Sequence, residues 1–134
     1  MKVKTHPRYS CVILDDDLSM IFLMEKYLAN VDKMYIAGSF FDPIRAMAAF
    51  QKYELIDFLF IDIQMDVSGL DLARMLKFKV KYVVFITSHP QYALRAFHLG
   101  DAYLVKPFGF PEFLNVVNGL IAKNRLRNPI KEEC

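Results

Sequence analysis

A chain of 134 residues with 54% hydrophobic content is sized for one domain with a substantial core, and its two cysteines are too few for a disulfide-built fold. The formal net charge of +2 is too small to argue for nucleic acid or a membrane surface by itself. The apolar runs fall far short of the ~20 residues that span a bilayer, and the first of them stops at Leu14, too short for the apolar region of a signal peptide, so a reducing cytoplasm is the expected location.

Residues 1–8 read as a polar lead-in, residues 9–125 as one domain, and residues 126–134, with Pro129 as a breaker, as a tail or linker. The first strand is predicted over 9–14; its run Cys11-Val12-Ile13-Leu14 exits into Asp15-Asp16-Asp17. Met20, Leu23, Met24, Tyr27, Leu28 and Val31 then repeat at helical spacing, with Asp17 placed to cap them. A second strand is predicted over 34–40. Asp42-Pro43 is a cap followed by a good first-turn residue, and Ile44, Met47 and Ala48 are the expected inner face of a second helix. The third strand, 57–62, runs through Phe58-Leu59-Phe60-Ile61 and exits into Asp62. Ser68 opens a third helix, with Asp71 three residues on as in a capping box and Leu72, Ala73 and Leu76 inward. The fourth strand, 82–87, ends in Thr87-Ser88, and Pro90 opens a fourth helix with Ala93, Ala96 and Phe97 inward. The fifth strand, 102–106, ends in Lys106-Pro107; Pro111-Glu112 opens the last helix, with Phe113, Leu114, Val117, Leu120 and Ile121 inward. The methionines fall mostly at core spacing and read as packing. The basic cluster Lys123, Arg125, Arg127 and Lys131 reads as a solvated helix end, since Glu132 and Glu133 follow.

Five strands alternating with helices predict an α/β domain with a parallel sheet covered on both faces. The strands are apolar throughout, as burial on both faces requires. With every strand pointing the same way, Asp15, Asp16, Asp62, Thr87 and Lys106 share the carboxyl edge, where open α/β sheets bind ligands. One acid at a strand end is most often a solvated turn or a cap. Four exits that each carry an acid, a hydroxyl or an amine weaken that reading. Asp15, Asp16 and Asp62 would repel one another if brought together. Mg²⁺, which suits few carboxylates and several waters, would resolve the repulsion. Lys106 and Thr87 would complement developing phosphoryl charge, and Asp62 could act as a carboxylate nucleophile, giving an acyl phosphate.

Leu14-Asp15-Asp16-Asp17, Phe60-Ile61-Asp62-Ile63-Gln64-Met65, Ser68-Gly69-Leu70-Asp71, Ile86-Thr87-Ser88 and Tyr103-Leu104-Val105-Lys106-Pro107-Phe108, in this order and spacing, resemble the receiver domain of two-component response regulators. Ile63-Gln64-Met65, the run from Gln91 to Phe97 and the run from Phe108 to Leu114 look most like receivers of LytTR-type transcriptional regulators. The resemblance implies a flavodoxin-like (βα)5 fold, a doubly wound five-stranded sheet of order 2-1-3-4-5. It implies that Asp62 takes a phosphoryl group from a sensor histidine kinase. Asp15, Asp16, Asp62 and the Gln64 backbone carbonyl would serve Mg²⁺, and Thr87 and Lys106 would hold the phosphoryl oxygens. Tyr103 would switch with Thr87, and the Lys106–Pro107 bond would be cis. Such a domain is a phosphorylation-controlled switch that assists its own phosphorylation and dephosphorylation, not a dedicated enzyme. It would dimerise or bind a partner through its fourth helix, fifth strand and fifth helix, with no contact to nucleic acid or membrane of its own.

Two departures from the family pattern stand out. Met65-Asp66-Val67-Ser68-Gly69 lacks the usual Pro after the Met and is one residue short, and Asp66 adds a negative charge there. Leu99-Gly100-Asp101-Ala102-Tyr103 is also one residue short. His89, two residues after Thr87, reads as a surface histidine at the site mouth; the resemblance implies that this position, together with Gln64, tunes phosphoryl lifetime. The competing reading is a haloacid-dehalogenase-like phosphatase using Asp15 and Asp17. It leaves Asp62 idle and lacks an acidic pair at a strand end after Lys106. A flavodoxin-like cofactor binder is disfavoured, because acids after the first strand would repel a flavin phosphate.

Overall fold

The computed structural model describes residues 8–91 and 99–127. Its elements are β1 (Tyr9–Leu14), α1 (Leu18–Ala29), β2 (Met34–Phe40), α2 (Pro43–Phe50), β3 (Ile56–Asp62), α3 (Gly69–Met75), β4 (Val80–Thr87), β5 (Ala102–Val105) and α4 (Phe110–Arg127). A single 3₁₀ turn, Lys77–Lys79, feeds β4. The five strands form one parallel sheet in the order β2-β1-β3-β4-β5, as the resemblance implied. The helix predicted after Pro90, and with it Ala93, Ala96 and Phe97, falls outside the described residues, as do Lys131 and the end of the tail.

The continuous apolar strands explain the layering. Alternate residues of β1 and β3 face opposite sides. Cys11, Ile13, Phe58 and Phe60 join one core with α1 and α4. Val12, Leu14, Leu59 and Ile61 join a second core with α2 and α3. The rings of Phe58 and Phe60 stack 5.9 Å apart in the first core, and burying each such side chain contributes about 1.5–3 kcal/mol. Cys11 is fully buried in this core, and burial pushes its thiol pKa up.

The helices start where their caps predict. Asp17, Asp42 and Ser68 each accept a hydrogen bond from the N–H two residues on, satisfying a donor the first turn leaves free. Asp71 forms an ion pair with Arg74 at 3.3 Å. The face of α2 differs from the expectation. Ile44 is 78% exposed and Ala48 is exposed, while Ala46 and Phe50 are buried. Phe50 sets the phase: its ring packs edge-on against Tyr53 at 5.3 Å in the second core, and Ala46, one turn earlier, follows it inward. The inner faces of α3 (Leu72, Ala73, Leu76) and α4 (Phe113, Val117, Leu120, Ile121) match the spacing, with Leu114 half-buried.

Two long-range ties brace the sheet. At its amino edge, Asp57 Oδ2 accepts from the Ser10 N–H (2.9 Å) and hydroxyl (3.2 Å), while the Asp57 N–H donates to Ser10 Oγ (3.0 Å). On the α1 face, the Tyr27 hydroxyl donates to the Phe108 carbonyl (3.1 Å), and the Tyr27 ring packs among Phe108, Phe110 and Phe113. Among the described residues, no helix is long and apolar enough to cross a membrane.

Candidate functional site

The parallel sheet delivers the exits of β1, β3, β4 and β5 to one edge. Asp15 follows β1, Asp62 ends β3, Thr87 ends β4 and Lys106 follows β5. Asp15 and Thr87 are fully buried and Asp62 is 5% exposed, whereas Asp16 is exposed. Oxygens of Asp15, Asp16 and Asp62 lie within 4.8 Å of one another. One ammonium, Lys106 Nζ, stands 3.1 Å from Asp15 Oδ2 and 3.7 Å from Asp62 Oδ2. The Lys106–Pro107 peptide bond is cis.

The local chain conformation aims these groups. The Asp17 N–H donates to Asp15 Oδ1 (2.9 Å), and the Gln64 N–H donates to Asp62 Oδ1 (3.1 Å). Both are Asx turns, in which a carboxylate folds back on its own chain as the strand ends. Asp17 gives its own carboxylate to Ser19, accepting from the N–H (3.0 Å) and the hydroxyl (2.6 Å), and these bonds hold its pKa below the usual range. Gln64 is exposed.

The electrostatics are frustrated. Burial, then the charge of Asp15, push the Asp62 pKa up to about 6, against the opposing pull of Lys106 and the Gln64 N–H. Burial also raises the Asp15 pKa. Lys106 cannot neutralise two buried carboxylates and exposed Asp16 together. Asp15 Oδ2 is buried and accepts no well-formed hydrogen bond, although the ammonium is near. Converging hard oxygens with a surplus of negative charge and one unsatisfied buried acceptor are what a small divalent cation relieves. The donor set therefore fits Mg²⁺.

Thr87 and Tyr103 complete the neighbourhood. Thr87 Oγ1 accepts the His89 N–H (3.0 Å) and donates to the His89 carbonyl (3.3 Å), a local turn that occupies the hydroxyl. Tyr103 is half-buried, and its ring stacks on Phe85 at 6.0 Å. Burial raises the Tyr103 pKa. Asp101 fixes the start of β5, its N–H donating to the Val83 carbonyl and its carboxylate accepting the Val83 N–H, each at 2.8 Å.

The short loop after Met65 brings α3 against the end of β3. The Gly69 N–H donates to the Ile63 carbonyl (2.9 Å), and a Cβ at Gly69 would stand 2.0 Å from the Asp62 carbonyl oxygen. Only glycine tolerates that approach. The sequence placed the Asp15, Asp16, Asp62, Thr87 and Lys106 cluster at one edge, and the structure brings them together there. It did not reveal that Thr87 is engaged with His89 or that Gly69 abuts the Asp62 backbone. A strand-ending Thr two residues before His89 was the available signal for the first.

Comparison with known proteins gives a consistent result. A family model described as response regulator receiver domain matches residues 11–118. An uncharacterised response regulatory protein of Yersinia pestis is 32% identical over 128 residues, 90% of this chain and 53% of the relative. The sensory transduction protein LytR of Staphylococcus epidermidis is 36% identical over 85 residues, 59% of this chain and 33% of that protein. The chain thus spans about half of the length of the first relative and a third of the second. Among solved structures, the response regulatory domain of MrkE from Klebsiella pneumoniae superposes with a TM-score of 0.74 at 26% identity, covering 85% of this chain and 96% of that one.

Proposed function

The chain belongs to the response regulator receiver family, and on that premise we propose that Asp62 accepts a phosphoryl group from a partner histidine kinase and so switches the domain between two states. One observation carries this reading. Asp62 is a buried strand-end carboxylate with its pKa raised to about 6, 3.7 Å from the ammonium of Lys106.

In the proposed reaction an ionised Asp62 oxygen attacks phosphorus and the phosphorus–nitrogen bond of a phosphohistidine breaks, leaving an acyl phosphate on Asp62 and returning the histidine. Asp15, Asp16, Asp62 and the Gln64 carbonyl would hold Mg²⁺, which supplies charge neutralisation at the phosphoryl oxygens. Lys106, between the two acids, turns its ammonium to the new group. Thr87 leaves its turn with His89 to donate its hydroxyl to a phosphoryl oxygen. That exchange biases the β4 exit, and Tyr103, stacked on Phe85 of the same strand, follows. A changed surface around β5 and α4 then dimerises or engages a partner. A transcriptional output would lie in parts of the protein that this chain does not include. The phosphatase reading is less well supported, because Asp17, which it needs in the site, spends its carboxylate capping α1.

Incubation with acetyl phosphate and Mg²⁺ followed by mass spectrometry tests the proposal. A single phosphoryl adduct mapping to Asp62 is expected, and Asp62→Asn should lose it. An adduct that persists in this variant, or sustained phosphatase turnover by it, would overturn the assignment.

A further inference from the structure

The net charge of +2 averages two unlike poles. The carboxyl edge of the sheet carries the acids of the site. At the amino edge, Arg74-Met75-Leu76-Lys77-Phe78-Lys79-Val80-Lys81 holds four basic residues and no acid. The two edges are the ends of β3, seven residues long, or roughly 20 Å at about 3.3 Å per residue.

The basic pole also exposes apolar side chains. Phe78 is 90% exposed, Met75 68% and Leu55 54%. The fold gathers them. Ile56 of β3 pairs with Val80 of β4, and Lys79 Nζ donates to the Tyr53 carbonyl at 2.7 Å, which sets Leu55 beside the Lys77–Lys79 turn. Lys77 Nζ lies 5.7 Å from the centre of the Phe78 ring and Lys81 Nζ 5.5 Å from that of Tyr82. Lys52, exposed at the end of α2, adds a further charge. The acids nearby are Glu54, in the same turn; Asp57, level with Lys81 across β3 and β4 and engaged by Ser10; Asp71, which is paired with Arg74; and Asp101, whose carboxylate accepts the Val83 N–H.

We propose that this amino edge is a docking surface for an anionic lipid bilayer. An apolar tip flanked by lysines is the arrangement by which peripheral proteins rest at the headgroup boundary: the tip enters, and the ammonium groups reach lipid phosphates. The other polyanions fit less well. Nucleic acid gains nothing from Leu55 or Met75. The cores of protein interfaces are depleted in lysine and favour arginine and tyrosine. Charge also fixes the orientation: the basic pole is drawn to a negative surface, while the acidic pole is turned away and stays open to partners. The contact is reversible and needs no spanning segment.

The chain contains no tryptophan, so Phe78→Trp installs a single reporter at the tip. With phosphatidylcholine vesicles containing phosphatidylglycerol, its emission should shift to the blue, and with phosphatidylcholine alone it should not move. In flotation with the same vesicles, replacing Lys77 and Lys81 together by Glu should cut recruitment about 25-fold or more, at roughly fivefold per lysine lost. High salt should do the same, and Phe78→Ser should weaken binding while circular dichroism and melting stay unchanged. The proposal is overturned if the wild-type chain does not float with anionic vesicles, if it floats equally with neutral ones, or if the lysine variant binds as well. It is overturned too if the lysines drive binding to an oligonucleotide or an acidic polypeptide while the Phe78→Trp emission stays that of a water-exposed indole with anionic vesicles.

Discussion

Asp57 and Asp62 sit at opposite ends of the same strand, and their surroundings could hardly differ more. Asp57 is matched: Ser10 gives it an N–H and a hydroxyl and takes its N–H in return. Asp62 is mismatched: it has one backbone donor and a shared ammonium, while burial and then a second buried acid press its pKa up to about 6. The matched carboxylate ties β1 to β3. The mismatched one holds an unfavourable charge state that a proton, a further cation or a chemical change can relieve. Among the described residues, the buried side-chain polar atom left without a hydrogen bond, Asp15 Oδ2, lies in this same cluster, and such residual frustration marks where chemistry can be expected.

Substitutions at the two ends should separate these roles. The largest structural effect is expected at Gly69, where a methyl group would meet the Asp62 carbonyl at 2.0 Å. Gly69→Ala should cost about 3 kcal/mol or more, or displace the loop, read as a fall in the midpoint of urea unfolding. A wild-type midpoint would show that the loop gives way freely. Next comes Asp57→Ala, which strands the Ser10 donors. It should destabilise by about 1–3 kcal/mol and leave acetyl-phosphate labelling intact.

Asp62→Asn should act in the opposite direction, adding roughly 1–2 kcal/mol above neutral pH. The sign follows from the raised pKa. The folded chain holds the Asp62 proton more tightly than the unfolded chain, so that stabilisation is complete below about pH 4 and is lost as pH rises through about 6. The gap between variant and wild type should therefore open between those values. Equal stability across that range would remove the contrast with Asp57. Mg²⁺ provides the smallest and most specific test. It should raise the melting temperature of the wild type at pH 8 by a few degrees, and that of Asp62→Asn by less.

The parts of this arrangement legible in sequence were those written in short, local patterns. Apolar runs ending in Asp15, Asp62, Thr87 and Lys106 located the edge, because a parallel sheet converts strand ends into neighbours. Asp17, Asp42 and Ser68 announced the helix starts, because a cap acts within two residues. The face of α2 was not legible. Eight residues make barely two turns, and Pro43-Ile44-Arg45-Ala46-Met47-Ala48-Ala49-Phe50 offers apolar groups on every side, so packing around Phe50 decides the phase. The Ser10–Asp57 clasp joins residues 47 apart in sequence, and no local pattern announces it. The Thr87–His89 turn and the Gly69 contact depend on backbone geometry within loops, which residue type only hints at.

Tyr27 has a consequence for how movement can be distributed. Asp15 holds the Asp17 N–H where α1 begins; one face of α1 carries Tyr27 to the Phe108 carbonyl; Phe108 lies two residues past Lys106, whose ammonium returns to Asp15. These contacts form a closed linkage, like the triangulated side of a truss. Displacing Lys106 as a rigid body requires α1 to travel with it, so this flank resists. The backbone at the exits of β3 and β4 is tied as well, Ile63 N–H to the Ile86 carbonyl and Lys106 N–H to the Thr87 carbonyl, but the Thr87 hydroxyl is engaged within its own turn by His89. The α1 flank is thus braced, and the Thr87 hydroxyl is the group that can change partners without breaking the linkage.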